Sequence, residues 1–219
     1  MLNDNRLKAI FNLLPDGGTV ADIGTDHGKL GCELLTKNKC RRVWFTDISA
    51  PSLEKARLLA AKSGVSDRAE FFVGDGCEAL PGSPDAAVIA GMGGGTIIHI
   101  LENGLDKLRN ACLVLGPQSE LTDVRLFLSE HGLRITEETA VREADRLYVL
   151  IRAEAGEEKL DRAQLILGPC LRNKTDENAR AYFELMFRKQ AYALECCEKA
   201  GKTGLEDLKT EVELWKSLL

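Results

Sequence analysis

Two carboxylates, Asp22 and Asp26, lie four residues apart in the stretch TVADIGTDHGK (residues 19–29), with His27 beside the second and Gly24 and Gly28 bracketing the group. A dinucleotide loop reads G-x-G-x-x-G and brings a pyrophosphate to a helix N terminus. Here Asp26 stands where the second glycine of that pattern would be. Two carboxylates facing a pyrophosphate repel it by roughly 1 kcal/mol per charge pair in water, and by several at lower effective dielectric. The same acids attract a ligand that carries an ammonium and a sulfonium. S-Adenosylmethionine (SAM) is such a ligand, with an adenosine at its other end, and the loop favours it over NAD.

The flanking residues say what must hold this loop. Val20, Ala21 and Ile23 form the short apolar run of a buried parallel strand. Leu30, Leu34 and Leu35 recur at helical spacing after it. Strand, glycine loop and helix together present a nucleotide-like ligand at the carboxyl edge of a doubly wound sheet. A second strand over residues 42–46 ends in Asp47, 19 residues beyond Gly28, with Ile48 next to it. An acid at that distance suits the ribose hydroxyls; the alternative is an N-terminal cap for the next helix, a job Ser49 could also do. A third strand over 69–73 runs into Gly74-Asp75-Gly76, where Asp75 could accept a hydrogen bond from the adenine amine or simply sit in a turn. A fourth, over 85–90, runs into Gly91-Met92-Gly93-Gly94-Gly95. Four glycines in five positions strip away side chains and let a flat molecule approach the backbone.

At 219 residues with 44% hydrophobic and 29% charged residues, the chain has room for one sizeable core and a small appendage. No run of about 18 apolar residues suggests a membrane span, and MLNDNRLK has no signal-like apolar stretch. Seven scattered cysteines without a C-x-x-C pair read as reduced thiols of a cytoplasmic protein. His27, His99 and His131 show no metal-ligand spacing, so no metal is expected. A net charge of −5 argues against broad, non-specific nucleic-acid binding but leaves room for a local RNA-binding patch.

Around these strands the spacing predicts helices over residues 4–14, 51–63, from 96, and 121–131, a fifth strand over 111–115, and a terminal antiparallel pair over 133–141 and 146–153. After Gly156-Glu157-Glu158 the pattern changes. Leu205, Leu208, Val212, Trp215 and Leu219 form a heptad seam, and Phe183, Phe187, Leu194 and Cys197 a matching stripe interrupted by Gln190. The division is therefore a Rossmann-like domain over 1–158, mostly parallel with an antiparallel terminal strand, and a coiled-coil-like helical hairpin over 159–219. The last sixty residues carry ten basic and ten acidic side chains, so the acidity belongs to the first part.

The motifs D-I-G-T-D-H-G (22–28), Asp47, D-G (75–76), G-M-G-G (91–94) and L-G-P (167–169) resemble, along nearly the whole chain, the bacterial tRNA (adenine-N1)-methyltransferases that modify adenosine 22. The resemblance implies a class I methyltransferase sheet with SAM at its carboxyl edge. Asp22, Gly24, Asp26, His27 and Gly28 would line the methionine end, Asp47 the ribose, and Asp75 and Gly76 the adenine, with Ile48 also among the cofactor-binding residues. Gly91 and Met92 would border cofactor and target base, with Gly93, Gly94, Pro117 and Gln118 beyond them. Lys29 and Gly31 stand where tyrosine and proline are frequent in that family, and Gly116-Pro117-Gln118 where Q-P-N is usual. Asp26, then His27, are the candidates for stabilising the cationic product and taking its proton, unless both only hold the cofactor. The hairpin would help grip tRNA, with no membrane partner and a monomer favoured.

RNA contact is expected on the cofactor rim, from Arg6, Lys29, Arg172 and Lys174, and from Arg180, Arg188, Lys189, Lys199 and Lys202 along the hairpin. Lys37, Lys39, Arg41 and Arg42 precede the second strand and fall at the opposite rim. The competing readings are a small-molecule SAM methyltransferase, which would have little use for the hairpin, and a non-catalytic RNA- or protein-binding module, which would not bind SAM.

Overall fold

The computed structural model describes residues 2–25 and 27–219; Asp26 lies outside them. A seven-stranded sheet runs in the order β3-β2-β1-β4-β5-β7-β6. β1 (Thr19–Ile23), β2 (Arg42–Asp47), β3 (Ala69–Val73), β4 (Ala86–Ala90) and β5 (Cys112–Gly116) are parallel. The chain builds outward from β1 to β3, then crosses back to β4 on the other side of β1. The carboxyl ends of β1 and β4 therefore flank the topological switch point, where ligands bind in such sheets.

β6 (Leu133–Glu143) and β7 (Arg146–Ala155) form the expected antiparallel pair, each two residues longer than the spacing predicts. The antiparallel strand β7 is last in sequence but not in space. It inserts between β5 and β6, leaving β6 as the edge.

Helices cover both faces. α1 (Asn5–Leu13), capped by Asp4, α2 (Lys29–Thr36) and α3 (Ala50–Lys62) bury Ile10, Leu34, Leu35 and Ala56 against one. α4 (Gly94–Leu108) and α5 (Leu121–Glu130) bury Ile97, Leu101, Val124 and Leu128 against the other. α4 starts before Thr96 because Gly94 and Gly95 enter the helix, their N–H groups held by Ser119 Oγ at 3.4 Å and Glu120 Oε2 at 2.8 Å.

The C-terminal part holds α6 (Arg162–Leu167), then α7 (Glu177–Lys199) and α8 (Glu206–Lys216), which fold into the hairpin. Trp215 packs edge-on to Tyr182, with ring centroids 5.9 Å apart, and Gln190 within the stripe bonds Glu211 of α8 at 3.0 Å. Leu219, the last seam position, is exposed. Phe183, Ala179 and Trp215 share a core with Ala140 and Val149, so the hairpin is seated on β6 and β7.

A buried ion pair makes the junction. Arg125 Nε meets Glu138 Oε1 at 2.8 Å, both side chains fully buried. Arg125 Nη1 donates to the carbonyls of Leu165 and Ile166, each at 2.9 Å. Glu138 Oε2 accepts from the N–H groups of Cys170 at 3.0 Å and Leu171 at 2.9 Å. Gly168, at φ +90°, wraps the pair so closely that a Cβ there would lie 2.5 Å from Glu138 Oε2. The L-G-P motif is thus a collar around two buried charges.

Among the described residues no helix is long and apolar enough to cross a membrane, and no group of His, Cys, Asp and Glu is arranged to hold a metal. All seven cysteines are free; burial pushes the thiols of Cys32 and Cys40 up to about 11 and that of Cys77 to about 12.

Candidate cofactor and RNA site

A cavity of about 410 Å³ opens at the switch point, with Asp22, Gly24 and Thr25 on the β1 side and Gly91, Met92 and Gln118 on the β4 side. Asp22 is buried at its foot, and its Oδ2 accepts from Thr25 Oγ1 at 2.9 Å. Burial pushes the carboxyl up to about 6; the Thr25 hydroxyl and the Gly31 N–H pull it down, and Asp47 adds repulsion. A buried acid facing a cavity, with only a hydroxyl and one N–H to offset its charge, is chemically suited to a cationic ligand.

The loop that follows is anchored from below, since the N–H groups of Gly24 and Thr25 both donate to the Thr46 carbonyl, at 2.8 and 3.1 Å. Gly24 has φ +72°, and a Cβ there would collide with the Met92 methyl, so the two switch-point loops touch across the cavity. His27 is also left-handed, at φ +66°. A residue with a Cβ held there costs about 1–2 kcal/mol, strain of a kind that gathers at functional sites. Gly28 caps α2, and a Cβ on it would lie 2.6 Å from Ala56 Cβ; only its backbone is available to a ligand.

The residues expected on the adenosine side form an open rim next to the cavity rather than its lining. Ser49 is the N-cap of α3, so the alternative role for Asp47 is filled by its neighbour. Asp47 Oδ1 accepts from the Ser49 N–H at 2.7 Å, which orients the carboxylate at the end of β2. Ile48 is 74% exposed and Val73, at the end of β3, 61%. Two bare aliphatic side chains at adjacent strand ends offer apolar faces for a flat base. Asp75 is exposed near them, and the Gly76 carbonyl is fixed by Thr46 Oγ1 at 3.3 Å. Val73 and Thr25 escaped the sequence reading because a strand-end valine and a loop threonine look like ordinary punctuation.

Gln118 links this cavity to a second. Its N–H donates to the Met92 carbonyl at 2.8 Å, and its side chain borders both. The second cleft, about 630 Å³, lies between the loop after β5 and the hairpin, and Pro117, Tyr148, Tyr182, Lys189 and Trp215 line it. Gly93 and Gly94 lie beneath Ser119 at the N terminus of α4, beside this passage.

The structure does not bring Arg172 and Lys174 to the rim. They follow α6 beside the middle of β6, where Lys174 pairs with Glu137 at 3.7 Å, and neither borders a cavity named above. The collar around Arg125 and Glu138 fixes that segment against the outer strand. Arg188 and Lys199 are engaged by Glu184 and Glu195 on α7. Lys39 and Arg42 pair with Asp16 and Glu70 on the opposite rim.

Sheet order, switch-point cavity and acid-bearing loop together define a class I methyltransferase frame. The model of a methyltransferase-domain family matches residues 3–151. The tRNA (adenine(22)-N(1))-methyltransferase of Bacillus subtilis is 34% identical over 69% of this chain and 65% of its own length, just under two thirds of that protein. A candidate tRNA methyltransferase of Mycoplasma pneumoniae is 37% identical over 78% of this chain and 82% of its own. The crystal structure of a candidate tRNA (m1A22) methyltransferase of Streptococcus pneumoniae, in complex with S-adenosyl-L-methionine, superposes with a TM-score of 0.88 at 26% identity, covering 98% of each chain. The chain belongs to the methyltransferase-domain family and, within it, groups with candidate tRNA methyltransferases.

Proposed function

We propose that this protein transfers the methyl group of SAM to N1 of adenosine 22 in tRNA. The observation that carries the reading is the pairing of a buried acid, Asp22, at a switch-point cavity with a second, aromatic-lined cleft joined to it at Gln118. The first suits a cationic amino-acid end; the second suits an unstacked base. When bound, SAM supplies an electrophilic methyl on a sulfonium, and the task of the protein is alignment, which contributes much of the barrier reduction in such displacements.

Adenine N1 has a free lone pair, so no strong base is needed before attack. The ring becomes cationic, and a nearby carboxylate stabilises that charge and takes the proton shed by the amine. Asp26 and His27 are assigned these roles from their place in the loop. In helical tRNA, N1 is paired or stacked, so the base must be turned out at a cost of a few kcal/mol. Lys189, which borders the cleft, and Arg180 on the same helix are the hairpin cations offered to the phosphates. Cytoplasmic residence fits a tRNA substrate and a set of free, mostly buried thiols.

The test is incubation with labelled SAM and unmodified bacterial tRNA, followed by mass spectrometry of the nucleosides. 1-Methyladenosine at position 22 is the expected product, and its absence from every tRNA would overturn the reading. Removing residues 160–219 would strip Trp215 and Phe183 from the shared core, so charge reversal is the cleaner probe of the hairpin. Lys189→Glu with Arg180→Glu should weaken tRNA binding severalfold and leave SAM binding unchanged.

A further inference from the structure

Arg6 stands out among the charged groups around the cavity. It comes from α1, outside the strand–loop–helix units that usually build such a site. Its guanidinium carbon sits 5.2 Å from the Tyr148 ring centroid, and its Nη1 lies 3.5 Å from where a Cβ on Gly91 would be. It therefore reaches over the end of β4 into the same cavity that has Asp22 at its foot. Its Nε is buried without a hydrogen-bond partner, and among the described residues Arg6 forms no ion pair. The helix that carries it is pinned: the Asn5 N–H donates to Glu143 Oε2 at 2.5 Å and Asn5 Nδ2 to the Arg142 carbonyl at 3.2 Å. A guanidinium held in place, desolvated at Nε and lacking an acid is suited to a carboxylate brought by a ligand.

We propose that Arg6 receives the carboxylate of the methionine moiety of SAM, across the cavity from Asp22, which receives the ammonium. The sequence placed Arg6 on the RNA side; the structure puts it inside the cavity. A zwitterionic amino-acid end needs one fixed cation and one fixed anion, and these two side chains supply them from opposite walls. Lys29 also borders the cavity but is exposed, which leaves it to solvent or to the RNA. This inference rests on the SAM reading above and assigns a direction to the ligand within it.

The test is calorimetric titration of the full chain with SAM, with S-adenosylhomocysteine and with decarboxylated SAM, which keeps the amine and sulfonium but lacks the carboxylate. The wild type should bind SAM at least tenfold more tightly than the decarboxylated compound. Arg6→Ala should lose at least tenfold for SAM and for S-adenosylhomocysteine, and bind decarboxylated SAM within twofold of the wild type. Arg6→Lys should recover part of the loss. Equal wild-type affinity for SAM and its decarboxylated form overturns the proposal without recourse to any variant. So does an Arg6→Ala loss that is the same for all three ligands, which marks a structural role. Unchanged SAM affinity together with weakened tRNA binding would return Arg6 to the RNA. If the wild type binds none of the three ligands, the methyltransferase reading itself fails, and this assignment with it.

Discussion

Two buried acids in this molecule have opposite surroundings. Glu138 is enclosed by Arg125 and by the N–H groups of Cys170 and Leu171, and the backbone closes over it at Gly168. Asp22 has the Thr25 hydroxyl and the Gly31 N–H, with a cavity in front of it. The first arrangement satisfies its charge within the chain and joins two layers rigidly. The second leaves its charge under-served beside an open cavity, which, on the function proposed above, reserves binding strength for a cation. A buried carboxylate becomes a fastening or a receptor according to how many of its lone pairs the chain itself fills.

The comparison breaks most visibly at the fastening. Glu138→Ala leaves Arg125 buried and unpaired and should cost about 3–5 kcal/mol in denaturant unfolding. Replacing both partners by apolar residues, Arg125→Met with Glu138→Leu, should cost much less. A single-variant loss below about 1 kcal/mol would mean that the pair fastens nothing.

The receptor should respond with the opposite sign. The Asp22 carboxyl titrates near 6 in the folded chain against an ordinary 3.8, so between these values the folded state binds more protons than the unfolded one. Stability from this group therefore falls as pH rises from about 4 through 6, and the full penalty is present above that. Asp22→Asn removes it and should stabilise the ligand-free protein at neutral pH by up to about 3 kcal/mol, as read by thermal unfolding. The same substitution should weaken SAM binding. In the wild type, SAM affinity should rise with pH through about 6, with proton release on binding detectable in buffers of different ionisation enthalpy.

The smallest effect on folding belongs to the rim. Ile48 is 74% exposed, so Ile48→Ala should change stability by less than about 0.5 kcal/mol while lowering SAM affinity severalfold. Unaltered affinity would remove the apolar face from the adenosine side.

Much of the receptor was legible in the sequence because it is local. Asp22, Gly24 and Gly28 lie within seven residues, and Asp47 closes the next strand, so strand–loop–helix logic finds them together. The fastening was not legible. In the strand LRITEETAVRE, simple alternation points Glu137 inward after Leu133 and Ile135. A register shift between Ile135 and Glu137 turns Glu138 inward instead. Arg125 shows a similar limit: it lies on an amphipathic helix where a charged residue reads as solvent-facing, yet it is fully buried. The L-G-P motif was visible as letters, but its meaning depends on that hidden pair. The place of Arg6 at the cavity was hidden for a related reason, since its neighbours Gly91 and Tyr148 are far away along the chain.

The contact of Asn5 with Glu143 and of Arg6 with Tyr148 ties the first helix to the last two strands. Such a clasp between distant parts of the chain has a consequence during synthesis. A nascent chain can assemble β1 to β5 as they emerge from the ribosome, with α1 packed on them through Ile10 and Leu13, yet Arg6 lacks its ring partner until Tyr148 is out. Translation must therefore pass the last strand of the sheet before Arg6 is held over the end of β4, and if the proposed roles hold, chains that stop short of it should turn over no methyl donor.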